Sequence, residues 1–274
     1  MVPDPRRAWV STYTGLGRRE LGDLLGDLAE AGCPDVEVLA APPHLDLEHG
    51  DAPARLRSAT RRAGVRVRSV VPSGVDVNLA SPHAGMRAWS VAQFGAVVAI
   101  AAACDADVAV VHPGRRHPLR PAPAAQLAGW VVDGLEQVLA LGDRHGVRIA
   151  LENVPTGLFD TVGECRELAA SFDGRLGTCL DVANAFMVED VVAAVRDGRA
   201  APPDLVHLSD TTRARWLHDP IGSGEVDWVA VGAALGAIGY DGPVVLETLH
   251  DGEAAAGFAA DRDALAALGW GRSR

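Results

Sequence analysis

The feature that most constrains this chain is an alternation. Eight short, apolar, β-rich runs recur along 274 residues, with helical patterns between them. The runs are AWVSTY (8–13), VEVLA (36–40), VRVRSVV (65–71), VAVVH (108–112), RIALE (148–152), LGTCLD (176–181), LVHLS (205–209) and PVVLET (243–248). Between them lie amphipathic segments such as 18–32 and 124–146. The second of these places Leu127, Val131, Leu135, Val138 and Leu139 on one helical face. Eight such repeats, with no polar linker between halves, predict an α/β protein: one (β/α)8 barrel domain over residues 1–274, with 268–274 as a frayed tail. A doubly wound open sheet is the runner-up. Its first strand would be followed by a glycine-rich turn, and STYTGLG is a poor match to G-x-G-x-x-G.

Charge and composition remove several function classes. The net charge of −11 argues against a nucleic-acid partner, which calls for a basic surface. All 25 basic residues are arginine, so neither Schiff-base chemistry nor a P-loop lysine is available. No apolar run is read as approaching the ~20 residues that span a bilayer, and the opening MVPDPRRAWV lacks a signal-like apolar core. The four cysteines, Cys33, Cys104, Cys165 and Cys179, are scattered without a C-x-x-C pair. Reduced thiols in a cytoplasmic protein, with no membrane partner, are the expectation.

Polar groups sit where these apolar runs end. Glu152, Asp181 and Glu247 fall at the ends of the fifth, sixth and eighth runs, and the seventh carries His207. The fourth ends in His112. In a barrel the C-terminal ends of all strands converge on one mouth, so these residues meet despite their separation in sequence. Three carboxylates crowded together repel one another, and a buried charge is costly unless paired or bound to a cation. One divalent ion held by three carboxylates and one imidazole is the economical answer; Mn²⁺, Mg²⁺ or Co²⁺ suits so many oxygens, and Zn²⁺ fits the same donors.

Singly, each residue has a plainer reading. Asp181 would cap a helix starting near Phe186, and His207 would be a satisfied core histidine. Four ligand-type residues at the same end of four successive strands are poorly explained that way. Glu37, in the second strand, is expected to face the mouth, either binding a substrate hydroxyl or sitting in a buried ion pair. GRRHPLR (114–120) offers Arg115 or Arg116 to a phosphate or carboxylate, or else to solvent. Trp9 and Phe186 are either apolar walls of the site or simple packing.

The chain resembles the xylose isomerase-like TIM-barrel superfamily, the sugar phosphate isomerase/epimerase group that includes ketose 3-epimerases, hydroxypyruvate isomerases and endonuclease IV. The resemblance lies in VDVNLASP (75–82), VVHPG (110–114), ALENV (150–154), CLDVANAF (179–186), VHLSD (206–210), HDPIGSGEVDW (218–228) and VVLET (244–248), in family order over residues 8–250. It implies that Glu152, Asp181, His207 and Glu247 bind one divalent metal. It further implies that Glu152 and Glu247 double as the acid/base pair, working through a metal-stabilised enediolate. His112, Asn184, His218 and Arg213 fall where the resemblance implies contacts to a sugar or polyol ketone.

Departures narrow the reading. Endonuclease IV-like members carry histidine where this chain has Val70 and Asn184, and aspartate where it has Trp216. A three-zinc cluster would lose ligands from two of its sites while the four-residue centre stays whole. Asn184 also replaces a substrate-binding histidine of the sugar epimerases. The expectation is a metal-dependent isomerase or epimerase, able to form a homo-oligomer. Alternatives are a dehydratase of the 3-dehydroshikimate or inosose type and a barrel that binds metal and sugar without turnover. A retaining glycosidase ranks low, because two strands that commonly carry its carboxylate pair here carry histidines.

Overall fold

The computed structural model describes residues 2–74 and 76–272. Eight parallel strands close into a barrel: β1 (Trp9–Ser11), β2 (Asp35–Ala40), β3 (Arg66–Pro72), β4 (Val108–Val111), β5 (Arg148–Glu152), β6 (Leu176–Asp181), β7 (Leu205–Leu208) and β10 (Val244–Leu246). Their order around the barrel is β1-β10-β7-β6-β5-β4-β3-β2, and β1 pairs back to β2. The remaining pair, β8 (Asp210–Thr212) and β9 (Arg215–Asp219), forms an antiparallel hairpin outside the barrel. The outer layer is α1 (Leu21–Glu30), α2 (Ala52–Ala63), α3 (Ala84–Ala103), α4 (Ala124–His145), α5 (Val162–Ala170), α6 (Val182–Val188), α7 (Val191–Asp197), α8 (Trp228–Ala237) and α9 (Ala254–Ala267).

Strand periodicity divides the apolar residues into two cores. Leu39, Val71, Val108, Val110, Ala150, Cys179, Leu205 and Val245 fill the barrel interior, with Trp9 at the N-terminal end of β1. Residues one position away, such as Val38, Val70, Ile149, Val206 and Leu246, face outward and pack under the helices. Each large aliphatic side chain so buried contributes roughly 1.5–3 kcal/mol. Helix α4 buries Leu127, Val131, Leu135, Val138 and Leu139, the stripe its spacing predicts, and ends at Gly146 in a left-handed turn. Gly142 lets α4 close on β5: a Cβ there would meet the Val147 carbonyl at 2.9 Å and Ile149.

Three sequence expectations need correction. Helix α3 is long and apolar enough, by length and composition, to cross a bilayer; its second half, rich in alanine and β-branched residues, lifts the mean hydropathy. It lies in the barrel wall, with Phe94, Val97, Val98 and Ile100 buried. The first strand is shorter than 8–13, because Ser11 Oγ accepts from the Tyr13 amide and turns the chain into a 3-10 segment, Thr12–Gly15. The tail is not frayed throughout. Trp270 is buried, and its Nε1 donates to the Trp228 carbonyl at 2.9 Å; residues 273–274 of that segment lie outside the described residues.

Candidate active site

The periodicity that buries Ala150, Cys179, Leu205 and Val245 inside the barrel also aims Glu152, Asp181, His207 and Glu247 inward, two residues further on. Strand register brings them level: Asp181 lies opposite His207, and His207 opposite Val245. Just beyond β10, the Glu247 amide donates to the Leu208 carbonyl at 3.0 Å. The four residues are buried, and one candidate ligand atom from each lies within 4.8 Å of the others. His207 Nδ1 is 3.3 Å from Glu247 Oε2, 3.9 Å from Glu152 Oε1 and 4.0 Å from Asp181 Oδ2.

The donor set fits a divalent cation. Among the described residues, Asp181 Oδ2, His207 Nδ1 and Glu247 Oε2 are buried without a hydrogen-bond partner. Orphaned buried polar atoms carry a desolvation cost of about 1–3 kcal/mol each, so three that converge mark a place built for something else. His207 Nε2 donates to Glu37 Oε2 at 3.0 Å, which leaves Nδ1 as the nitrogen facing the carboxylates, the atom a cation would bind in place of a proton. A second grouping, Glu152, Cys179 and His207, is also compact. Burial pushes the Cys179 thiol well up, so that sulfur stays protonated and is the weaker ligand.

Electrostatics separate the carboxylates. Burial pushes Asp181 up to about 7, against the pull of His218 and with added repulsion from Glu152 and Glu247. Burial also works against the charge on Glu247, but His207, then His218 and His112, outweigh it and bring that group down to about 2. Asp181 plays two parts. Its Oδ1 accepts from the Asn184 amide and caps α6, which begins at Val182 instead of near Phe186, while its Oδ2 stays free for a cation.

Polar groups around the centre hold the ligands in place. Glu152 is gripped from both sides: His112 Nε2 donates to Oε2 at 2.9 Å, and Asn184 Nδ2 donates to Oε1 at 3.1 Å. Asn184 Oδ1 accepts from Trp216 Nε1 at 2.7 Å. Asn153 exchanges two hydrogen bonds with the backbone of Asp181. His218 Nδ1 lies 3.1 Å from Ser209 Oγ and 3.5 Å from Glu247 Oε2. Above the centre opens a cavity of about 350 Å³ whose lining includes His112, Arg115, Asn184, Trp216 and His218.

Not every expected contact is there. Glu37 is fully buried, and its Oε2 is taken by Ser69 Oγ and His207, so it supports the imidazole and is absent from the cavity lining. Arg213 sits at the exposed turn of the β8–β9 hairpin, its guanidinium 4.1 Å from the Phe186 ring centroid and donating to the Glu189 carbonyl. Phe186 and Trp9 are packing residues; the apolar walls come instead from Tyr13, Leu16, Leu39 and Val71. Tyr13, which meets the His218 ring edge-on at 5.9 Å, carries no sequence signal that would distinguish it from core packing.

Comparison with known proteins agrees with this architecture. The family model described as xylose isomerase-like TIM barrel matches residues 25–273. An uncharacterized protein of Methanocaldococcus jannaschii is 25% identical over 178 residues; the match covers 63% of this chain and 61% of that relative, less than two thirds of its length. Among solved structures, a D-tagatose 3-epimerase-like protein superposes with a TM-score of 0.82 at 22% identity, covering 96% of this chain and 98% of the other. The 3-keto-D-glucoside 4-epimerase YcjR of E. coli gives 0.75 at 19%, with the same coverage. The IolI protein with a bound zinc atom gives 0.76 at 16%, covering 96% of each chain. At these identities the likeness establishes the fold.

Proposed function

The chain belongs to the xylose isomerase-like TIM-barrel family, and we propose that it is a divalent-metal-dependent isomerase or epimerase acting on a sugar or sugar-like ketone. The observation that carries this reading is the set of partnerless ligand atoms on Asp181, His207 and Glu247, with the Glu152 carboxylate beside them at the cavity floor. A cation held by Glu152, Asp181, His207 and Glu247 would supply Lewis-acid stabilisation of the negative charge that develops on a substrate oxygen.

The chain's own residues supply the proton transfers. Glu247, whose carboxylate lines the cavity beside the proposed cation site, is the group that would accept a proton from carbon. Glu152, on the other side of the mouth, is the partner that delivers or accepts a proton on the opposite face, its carboxylate aligned by His112 and Asn184. His218 lies close enough to Glu247 to hold its orientation and to donate to a substrate hydroxyl. Tyr13, Leu16, Leu39 and Val71 exclude water from the carbon that carries the proton.

The test is deuterium wash-in. Metal-loaded protein is incubated with a panel of ketoses in D2O, and carbon-bound protons next to the carbonyl are followed by NMR together with the products. Exchange with formation of an epimer or aldose supports the reading. Exchange accompanied by a dehydrated, ultraviolet-absorbing product would instead assign the dehydratase chemistry, and no exchange with any ketose at full metal occupancy would remove catalysis of this type.

A further inference from the structure

Resting on that reading, we infer that the substrate carries an anionic group, a carboxylate or a phosphate, on the end remote from the reacting carbonyl, and that Arg115 binds it. Strand order fixes the placement. Around the eight-stranded barrel β4 lies diametrically opposite β10, so the loop after β4 faces Glu247 across the mouth. Arg115 stands in that loop and lines the cavity.

The loop is fixed in place. Asn78 Oδ1 accepts from the Arg115 amide at 3.0 Å, and Asn78 Nδ2 donates to the Arg115 carbonyl at 3.3 Å. On the other side, Thr156 Oγ1 donates to the Gly114 carbonyl at 2.8 Å. Gly114 has φ +100°, and a Cβ there would strike Asn78, so this turn requires glycine. A backbone held from both flanks presents residue 115 to the cavity at small entropic cost on binding.

The guanidinium itself is nearly unused. Among the described residues it meets no carboxylate, and its one hydrogen bond, Nη2 to the Gly74 carbonyl, is long at 3.4 Å. Arginine keeps its charge at all working pH values and binds carboxylate or phosphate with paired N–H groups. Arg115 is exposed at the rim of a cavity whose lining also includes Ser73, His112 and Thr156. A neutral sugar could be held by hydroxyl contacts alone, whereas a guanidinium that meets no carboxylate among the described residues is free to pair with an anion that enters. The neighbouring Arg116 does not share the role: its guanidinium lies against Gly157, and it is absent from the lining.

Three ketoses with a common skeleton separate the possibilities: D-fructose, D-fructuronate and D-fructose 6-phosphate. Their Kd values for the metal-loaded protein are measured by titration calorimetry at fixed ionic strength, alongside wash-in of solvent deuterium. At least one anionic ketose should bind tenfold or more tightly than fructose, and Arg115→Ala should bring that ratio close to one while Arg116→Ala preserves it. The arm with the larger ratio identifies carboxylate or phosphate as the natural group. Equal binding of all three, no binding of either anion, or a ratio that survives Arg115→Ala overturns the inference. Binding and catalysis fail separately. Arg115-dependent binding with no deuterium exchange sinks the proposed reaction and keeps the anion site; exchange that ignores charge does the reverse.

Discussion

Trp216 donates its indole N–H to Asn184 Oδ1 at 2.7 Å, and through that amide it reaches Glu152, to which Asn184 Nδ2 donates. Asn184 and Trp216, two of the three positions at which the sequence differs from endonuclease IV-like proteins, therefore form one unit. Trp216→Phe keeps the ring and removes the donor; losing that hydrogen bond should cost about 0.5–1.5 kcal/mol of transition-state stabilisation, read as a two- to twelvefold fall in kcat/KM. Asn184→His should be more damaging alone than combined with Trp216→Asp. A double-mutant cycle that returns zero coupling would show the two positions to be independent.

Glu247→Gln keeps the shape of the side chain and removes its charge. Turnover should fall by about 10²–10⁴-fold with the circular dichroism of the folded protein unchanged. Wild-type rates in that variant would take Glu247 out of the mechanism.

Glu37→Gln tests support for the imidazole, because Glu37 touches His207 and does not line the cavity. Metal affinity should drop by roughly 10–100-fold, measured by competition with a chromogenic chelator. An affinity equal to wild type would mean that the hydrogen bond does not orient His207.

Chelation by EDTA should abolish activity and Mn²⁺ should restore it. A cation held at about 100 times its Kd adds ~2.7 kcal/mol of stability, which for a chain of this length is a rise in Tm of about 5–10 °C. Unchanged activity after stripping would exclude a metal role.

The metal-free protein should be most stable in mild acid. Asp181 sits above its ordinary 3.8, at about 7, so its contribution is fully present below about pH 4 and is lost as pH rises toward 7. Glu247 sits below its ordinary 4.5, at about 2, so its contribution is fully present above about pH 4.5 and is lost as pH falls toward 2. Thermal melts of the stripped protein should decline from pH 5 to pH 8. Asp181→Asn, which keeps an oxygen to cap α6, should flatten that decline; a slope identical to wild type would assign it elsewhere.

The barrel was legible because its strands are apolar on both faces and its helices carry long, regular stripes; α4 follows its spacing to within a residue. Glu152, Asp181, His207 and Glu247 were legible as a group because strand parity sends all four inward. What could not be read depends on contacts remote in sequence or on exposed segments. Glu37 and His207 are 170 residues apart, and nothing local to VEVLA distinguishes a carboxylate that holds an imidazole from one that meets substrate. The β8–β9 hairpin, DTTRARWLHD, has no apolar alternation, since its outer face meets solvent, yet it delivers Trp216 and His218 to the mouth. Asp181 defeated an either-or reading: one oxygen caps a helix and the other faces the centre.

The bond between Glu37 and His207 joins the second strand to the seventh across the barrel. A chain still emerging from the ribosome, with β10 unmade, has neither Glu247 nor a closed ring, so it would offer a cation only part of the four-residue set. The complete set of candidate cation ligands therefore exists only once the ring has shut.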